Sequence, residues 1–310
     1  MRTSRLWRAL ALLFAFGLLA AACGSDSDDT ATGSDEGSSQ PESEEGGEEA
    51  GLPDLDGREV TIAVENAYLP FNYLDPATGE PTGWDYAVID EMCKRLNCTP
   101  VYEAFPWETM IQAVADGQFD MAADGITINE ERAEIVAFSD GYINVDQRLL
   151  VQVGEDRFAD ATDFAAGDFE VGTQVGTTNF NTAVDLVGED RVKGFDDFGF
   201  VVQAVISGDV DAVIIDETAG QGYVGENADA VEMIGDSLSS DQLGFIFPLD
   251  SDIVDAINAV LAEMKADGSL ETISAEYFGD AFSITYDDLE YPEYEEEVEE
   301  EGEEEGEEEG

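Results

Sequence analysis

The middle of the chain alternates short apolar runs with amphipathic stretches. EVTIAV at residues 59–64 is a compact apolar run typical of a strand, and TPVYEAF at 99–105 has the same extended character. Between them, DYAVIDEMCKRL at 85–96 repeats its apolar residues at the spacing of one helical face, namely Val88, Ile89, Met92, Cys93 and Leu96. WETMIQAVADG at 107–117 predicts a second helix that ends at Gly117. Strand, helix, strand and helix in this order predict an α/β fold.

A second feature is an internal echo. QAVADGQFDMAADG at 112–125 and QAVISGDVDAVIID at 203–216 share the pattern Q-A-V-x-x-G-x-x-D. Each copy predicts a helix, a glycine at its C-terminal end, a strand and a carboxylate where that strand ends. Ligands of open α/β sheets bind beyond the carboxyl ends of the strands, so two such units suggest two similar lobes whose sites face each other. Chance recurrence of a helix-Gly-strand unit is the alternative, and the short motif leaves both open.

The apolar runs also indicate where the lobes are joined. RLLVQV at 148–153 predicts the strand at the first boundary, and LGFIFP at 243–248 predicts a return strand. Residues 253–278 then form two helices interrupted at Gly268. The predicted lobes are therefore 57–150 with 245–286, and 151–244.

Both ends of the chain have a different composition. Arg2, Arg5 and Arg8 precede an apolar run that stops just before Cys23, which predicts an export signal at 1–22; the run is short for the alternative, a membrane anchor. AAAC at 20–23 resembles the lipobox of bacterial lipoproteins, with alanine where that motif prefers leucine, and implies a lipid on Cys23. Residues 23–56 and 287–310 are acidic and low in complexity, and predict a flexible linker and a disordered tail.

Charge and residue usage narrow the function classes. The chain has 12 Lys+Arg against 73 Asp+Glu; without the three arginines of the predicted signal, nine basic residues remain. This balance repels nucleic acid and anionic lipid. The chain has no histidine, which excludes His-based triads and the usual zinc sites. The sequence predicts neither a metal nor a cofactor.

Two of the three cysteines lie close together in MCKRLNCTP. In an exported chain, Cys93 and Cys98 are expected to form a local disulfide, because five residues across a helix end bring two cysteines within bonding distance. The alternative is a pair of buried thiols.

The motifs of the folded region, taken in order, resemble the extracellular solute-binding proteins of family 3, which serve ABC importers. They are AYLPFNY, GEPTGWDYAVIDEMCKRLN, DGITINEERAEIVAFSDGY, VGTQVGTTNF, GDVDAVIIDE and KADGSLETISAEYF, within residues 60–278. The resemblance implies a two-lobed periplasmic-binding-protein-like fold of type II, whose lobes are joined by two hinge strands and close on a free amino acid. It implies a monomer outside the cytoplasmic membrane, lipid-anchored or periplasmic, that delivers its ligand to ABC permease subunits and touches the membrane only through Cys23.

The resemblance also implies roles for individual residues around the ligand's backbone groups. Arg132 of ITINEER would bind the carboxylate with paired guanidinium donors, assisted by Thr177 and Thr178 at a helix N-terminus. Asp216, the Thr127 hydroxyl and the backbone of Asp124 would hold the ammonium group. The alternatives from the residues alone are a surface ion pair for Arg132 and helix capping for the threonines and for Asp216.

At the ligand's side chain, the resemblance places five residues: Tyr68, Trp107, Glu65, Asp85 and Asn179. Trp107 fits the core equally well, and Asp85 fits a helix cap. Surplus carboxylates near the cleft favour a cationic side chain, with a neutral polar one next. Rival functions are a cyclohexadienyl dehydratase on the same fold and a ligand-sensing module.

Overall fold

A computed structural model describes residues 51–225 and 227–278. The predicted signal, Cys23, the acidic tail at 287–310 and most of the predicted linker lie outside these residues. At the junction of linker and fold, the backbone N–H of Leu55 donates to the carbonyl of Leu96 at 2.8 Å. The chain is therefore held against the first lobe shortly before its first strand.

The first lobe is built on a five-stranded sheet with a small hairpin sheet beside it. The large sheet contains β1 (Arg58–Val64), β5 (Cys98–Ala104), β6 (Met121–Ala122), β7 (Val136–Phe138) and β13 (Ile246–Pro248). The small sheet contains β2 (Ala67–Tyr68), β3 (Asn72–Leu74) and β4 (Pro81–Thr82). The helices are α1 (Trp84–Leu96), α2 (Trp107–Ala115), α3 (Glu130–Ala133), α8 (Val254–Asp267) and α9 (Ser269–Tyr277).

The second lobe is a five-stranded sheet with four helices. Its strands are β8 (Ile143–Gln152), β9 (Val171–Gln174), β10 (Val192–Phe195), β11 (Ala212–Asp216) and β12 (Val231–Leu243). Its helices are α4 (Ala161–Ala166), α5 (Thr178–Val187), α6 (Phe198–Ser207) and α7 (Glu217–Val224).

The two large sheets have the same topology. Their strand orders are β5-β1-β6-β13-β7 and β10-β9-β11-β8-β12. In each sheet the first three strands run parallel and the next two pair antiparallel. The sequence echo falls on the same place in both, because each copy forms the central strand, β6 or β11. The glycines that end the preceding helices, Gly117 and Gly208, have φ of 73° and 81°. The α/β prediction and the two-lobed prediction are confirmed.

Two extended segments connect the lobes. The first enters β8 at Ile143, so residues 143–150, which the sequence assigned to the first lobe, lie in the second lobe's sheet. The backbone N–H of Tyr142 donates to Leu243 O, and that of Gly244 donates to Ile126 O, both at 2.9 Å. The predicted return strand at 243–248 is divided between the end of β12 and β13. β12 itself was not predicted, because VEMIGDSLSSDQL is mostly polar and lacks regular alternation; its register shifts between Ile234 and Ser239.

The helix α1 buries the predicted apolar face against the sheet and carries one end of a disulfide. Val88, Ile89 and Met92 are at most 1% exposed. Cys93 and Cys98 are bonded, with their Cα atoms 4.5 Å apart, which confirms the predicted pairing. The bridge closes a loop of only a few residues across the end of α1, so its entropic contribution to stability is small.

Within the described residues, no helix has the length and apolar character needed to cross a bilayer.

Candidate functional site

A cavity lies between the two lobes, at the carboxyl ends of their parallel strands. The first lobe contributes Glu65, Tyr68, Trp107, Asp124, Gly125, Thr127 and Arg132; the second contributes Gln174, Thr177, Thr178, Asn179, Phe198 and Asp216. Every ligand-contacting residue that the sequence predicted is among them except Asp85.

Strand ends place four of the polar side chains. Glu65 directly follows β1, Asp124 lies two residues after β6, Gln174 is the last residue of β9 and Asp216 is the last residue of β11. Parallel strands end at one edge of their sheet, so each lobe presents a pair of polar groups at the edge that faces the other lobe.

Arg132 reaches the cavity from a single helical turn. The Asn129 side chain accepts a bond from the Arg132 amide at 2.8 Å and so begins α3. The guanidinium donates to Thr127 O at 3.1 Å and to Gly176 O across the cleft at 3.3 Å, and lies 5.3 Å from the centre of the Trp107 ring. Among the ion pairs of the described residues, none involves Arg132, so the surface ion-pair alternative is not what the structure has.

The guanidinium of Arg132 remains positively charged although it is buried. Arg132 is only 9% exposed. Burial lowers the pKa of its guanidinium to about 10, and the negative charge of Asp216 opposes that change. At pH 7 the group is therefore a buried cation in the lining of the cavity.

The two neighbouring threonines have different roles. The Thr177 hydroxyl accepts from the Phe180 amide at 3.1 Å and donates to Gln174 O at 2.7 Å, so it caps α5 and is fully used. The Thr178 hydroxyl instead lies 3.3 Å from the Thr127 hydroxyl of the other lobe and accepts from Gln147 Nε2 at 2.9 Å. The first amides of α5 have no partner within the helix and carry its positive dipole end.

Asp216 occupies the position before α7, but its side chain makes no capping bond there. It accepts bonds from the Tyr68 hydroxyl and, at 3.0 Å, from Asn179 Nδ2. Burial raises the pKa of Asp216 to about 6, while the bond from Tyr68 and the charge of Arg132 hold it down. Tyr68 and Asn179, which the sequence assigned to a ligand's side chain, both line the cavity and both bond Asp216.

The cavity lining also contains two buried carboxyl groups, Glu65 and Asp124. Burial, together with the nearby charge of Asp124, raises the pKa of Glu65 well above its ordinary value. Burial also raises the pKa of Asp124 to about 7, against a lowering bond from Asn72. Asp85 lies one layer deeper: it is 0% exposed, accepts from Asn72 Nδ2 at 2.9 Å and makes no capping bond to α1.

Three lining residues were missed by the sequence reading: Gly125, Gln174 and Phe198. The rule that polar strand ends face the cleft would have found Gln174, since it ends β9 as Asp216 ends β11. Phe198 begins α6 within FDDFGF, and nothing in this sequence distinguishes an aromatic residue of a cavity wall from one of the core.

The comparisons with known proteins agree with this architecture. The family model of bacterial extracellular solute-binding proteins, family 3, matches residues 60–280. The chain belongs to this family. A relative within it, the L-cystine-binding protein TcyA of Bacillus subtilis (strain 168), is 29% identical over 226 residues, covering 72% of the present chain and 82% of that protein.

Two solved structures resemble this family 3 chain over nearly their whole length. The arginine-, lysine-, histidine-binding protein ArtJ from Geobacillus stearothermophilus has 27% identity and a TM-score of 0.67, covering 72% of the present chain and 96% of that one. An ancestral arginine-binding protein bound to glutamine has 29% identity and a TM-score of 0.66, covering 72% and 98%.

Proposed function

We propose that the protein binds a free polar amino acid between its lobes, outside the cytoplasmic membrane, and delivers it to an ABC importer. The observation that carries this proposal is that one interlobe cavity is lined by both a buried cation, Arg132, and a buried carboxylate, Asp216. An α-amino acid bears the complementary two charges on one carbon. Arg132 and Asp216 come from different lobes, so one ligand that binds both favours closure.

The ligand carboxylate is assigned to Arg132, with the hydroxyls of Thr127 and Thr178 and the first amides of α5. Thr177 contributes backbone only, because its hydroxyl is used in capping. The ammonium group is assigned to Asp216, which Tyr68 and Asn179 orient, with Thr127 and the Asp124 backbone nearby. Paired guanidinium donors match a carboxylate in plane and spacing.

The side-chain end of the ligand is assigned to Glu65 and Asp124, with Trp107 and Phe198 as apolar walls. Burial raises the pKa values of these two carboxyls, and a positive charge on the ligand's side chain would compensate the cost of ionising them in the cavity. A cationic side chain of the arginine or lysine type therefore fits best, and a neutral amide is second. Both classes occur among the ligands named for the similar structures, arginine, lysine and histidine for one and glutamine for the other.

Location and partners follow from the family and from the ends of the chain. We propose cleavage of residues 1–22, lipid on Cys23, and an extracytoplasmic monomer tethered by residues 23–56. ABC permease subunits are the proposed partner, and a covalent cofactor, metal or nucleic acid has no part in this function.

Competition among amino acids tests both binding and ligand class. In calorimetry with arginine, lysine, glutamine and glutamate, we expect arginine or lysine to bind most tightly and glutamate most weakly. The affinity of the cationic ligands should fall as salt rises, because part of their attraction is screened, while that of glutamine should change little. Tightest binding by glutamate or by leucine would show that Glu65 and Asp124 do not select the side chain.

The enzymatic alternative predicts turnover instead of retention. A dehydratase of this fold would consume prephenate-type acids on incubation, whereas a binding protein retains an amino acid through dialysis. We propose retention, because the similar proteins described above are named as amino-acid-binding proteins. Loss of a prephenate-type substrate at a rate above the uncatalysed one would reverse this assignment.

A substitution at Gly125 tests whether the position of the Tyr68 ring matters for ligand binding. A Cβ on Gly125 would lie 2.4 Å from Tyr68 Cε1, and the residue has φ of 57°. In Gly125→Ala we expect the displaced Tyr68 ring to lose its bond to Asp216 and ligand affinity to fall by about tenfold or more, equivalent to roughly 1.4 kcal/mol. The left-handed backbone adds roughly 1–2 kcal/mol of lost stability.

Gly79→Ala is the matched control for that variant. Gly79 also has positive φ, 73°, but nothing lies within 4 Å of its added Cβ. It should lose a similar amount of stability and no affinity. Equal affinities of the two variants would mean that the position of Tyr68 does not affect binding.

A further inference from the structure

Behind the side-chain end of the cavity, one buried amide joins two carboxyl groups. Asn72 Nδ2 donates to Asp124 Oδ1 at 2.6 Å and to Asp85 Oδ2 at 2.9 Å, while Asn72 Oδ1 accepts from the Asn66 amide at 2.6 Å. Asn72 and Asp85 are 0% exposed and Asp124 is 4% exposed. Asn72 is therefore fixed in orientation, and it donates its two N–H groups to two buried acids, of which Asp124 also lines the cavity.

Among the described residues, no ion pair involves Asp85 or Asp124. The titratable groups that face this cluster are Glu65 after β1, Asp85 and Tyr86 on α1, Tyr142 before β8, Asp197 before α6, and Asp216 with Arg132 across the cavity. The Arg132 guanidinium is bonded to the carbonyls of Thr127 and Gly176. No group of three or more potential metal ligands is found among the described residues. Bare carboxylates buried in this way are costly, and a bound proton is the simplest neutralisation.

The partners of Asp85 support the same conclusion. Its Oδ1 is buried without a hydrogen-bond partner within the described part of the chain. An unpartnered oxygen is tolerated far better on a neutral acid than on a carboxylate, since the charged form has the larger desolvation cost. Asp85 thus fits a neutral acid that shares the Asn72 amide with Asp124.

We propose that Asp124 carries an exchangeable proton in the free protein and that a cationic ligand side chain displaces this proton to solvent on binding. The proposal rests on the amino-acid-binding function, and it makes Asp124 the group that distinguishes cationic from neutral ligand side chains. Burial raises the pKa of Asp124 to about 7, so the proton is held near neutral pH yet is removable. A guanidinium or ammonium beside the carboxylate lowers its pKa and takes the place of the proton as the neutralising charge.

The proposal fixes the direction in which the affinity for a cationic ligand changes with pH. Free Asp124 holds its proton below about pH 7, and the bound cationic complex does not, so binding competes with protons there. The affinity for arginine should fall about tenfold for each pH unit below about 7 and level off above it. The side chain of glutamine carries no charge, and its amide oxygen accepts a bond from the protonated acid. The affinity for glutamine should therefore not follow this slope.

Calorimetry in two buffers of different ionisation enthalpy counts the released protons directly. At pH 6.5 we expect the full chain to release roughly three-quarters of a proton more with arginine than with glutamine, whose ammonium group displaces only the small protonated fraction of Asp216. Asp124→Asn should abolish this difference between the two ligands and the pH slope that goes with it. Asp90→Asn, which changes an exposed carboxyl of α1, should keep both. Equal arginine heats in the two buffers for the unmodified protein would overturn the proposal.

Asn72 has a distinct test as the residue that positions Asp124. Its bond lowers the pKa of Asp124. In Asn72→Ser the arginine pH profile should therefore move to higher pH, an effect that a general loss of packing does not produce. An unmoved profile in a folded Asn72→Ser protein would remove Asn72 from the proposal.

A measurement without ligand separates the proton from the binding function. In infrared difference spectra of the free protein, unmodified minus Asp124→Asn, a protonated carboxylic-acid band should be present at pH 6 and absent at pH 8. A missing band at pH 6 overturns the proposal whatever the ligand is. Absence of binding heat with every amino acid would refute the proposed function, while the band still decides the protonation of Asp124.

Discussion

Replacement of Arg132 by alanine is expected to lower amino-acid affinity by about 3 to 5 kcal/mol, the cost of leaving a buried charge without its partner. The guanidinium is the buried cation proposed to face the ligand carboxylate, and the hydroxyls of Thr127 and Thr178 cannot replace its charge. Isothermal calorimetry with the tightest-binding amino acid measures the change. Unchanged affinity would show that the carboxylate binds elsewhere.

Two further variants separate charge from geometry and from general effects. Arg132→Lys keeps the charge but loses the paired planar donors, so it should recover only part of the affinity. Arg58→Ala is the matched control, because Arg58 pairs with Asp120 and Asp252 at the other end of β1, away from the cavity. Arg58→Ala should bind as the unmodified protein does, and a loss equal to that of Arg132→Ala would indicate a non-specific effect.

Thermal unfolding without ligand measures how much stability each of these variants loses. Arg132 also bonds the carbonyls of Thr127 and Gly176 and lies over Trp107. Its removal therefore lowers stability by an amount typical of lost hydrogen bonds, about 1 kcal/mol each. An affinity loss beyond that of Arg58→Ala, measured at a temperature where both variants are folded, identifies Arg132 as a ligand residue.

The fold was largely predictable because its signals are local and repeated. The echo at 112–125 and 203–216 combines a helical period, a glycine that favours the left-handed backbone and an apolar strand, and each of these acts within a few residues. Both copies became central strands, β6 and β11. β12 was not predictable in this way, since its polar sequence is extended only because β8 offers it a partner.

The cavity was predictable where a strand end fixes the side chain and less so where tertiary contacts decide. Glu65 and Asp216 follow buried strands, and the structure places both at the cleft. Thr177 and Thr178 are adjacent and identical in type, yet one caps α5 and the other contacts Thr127, a difference that depends on where the other lobe lies. Sequence alone also could not separate the cavity-lining Asp124 from Asp85, because only the placement of Asn72 shows which one is deeper.

Asp85→Asn is expected to stabilise the folded protein at alkaline pH and to leave it nearly unchanged at pH 4. Burial raises the pKa of Asp85 from its ordinary 3.8 to about 8, and the charge of Asp124 adds to this. Between these two pH values the unfolded chain loses the proton and the folded one keeps it, so the free energy of unfolding falls by about 1.4 kcal/mol per pH unit. Asparagine has the shape of the neutral acid and does not ionise.

The difference in the free energy of unfolding between Asp85→Asn and the unmodified protein should therefore grow from near zero at pH 4 to roughly 3 to 5 kcal/mol at pH 8. The lower figure allows for the dipole of α1, which favours a negative charge in the first turn of the helix. Urea denaturation of both proteins at a series of pH values measures it. Asp90→Asn, on the exposed face of the same helix, is the control and should show no such trend. A difference between Asp85→Asn and the unmodified protein that stays constant from pH 4 to 8 would mean that Asp85 is ionised in the fold throughout this range.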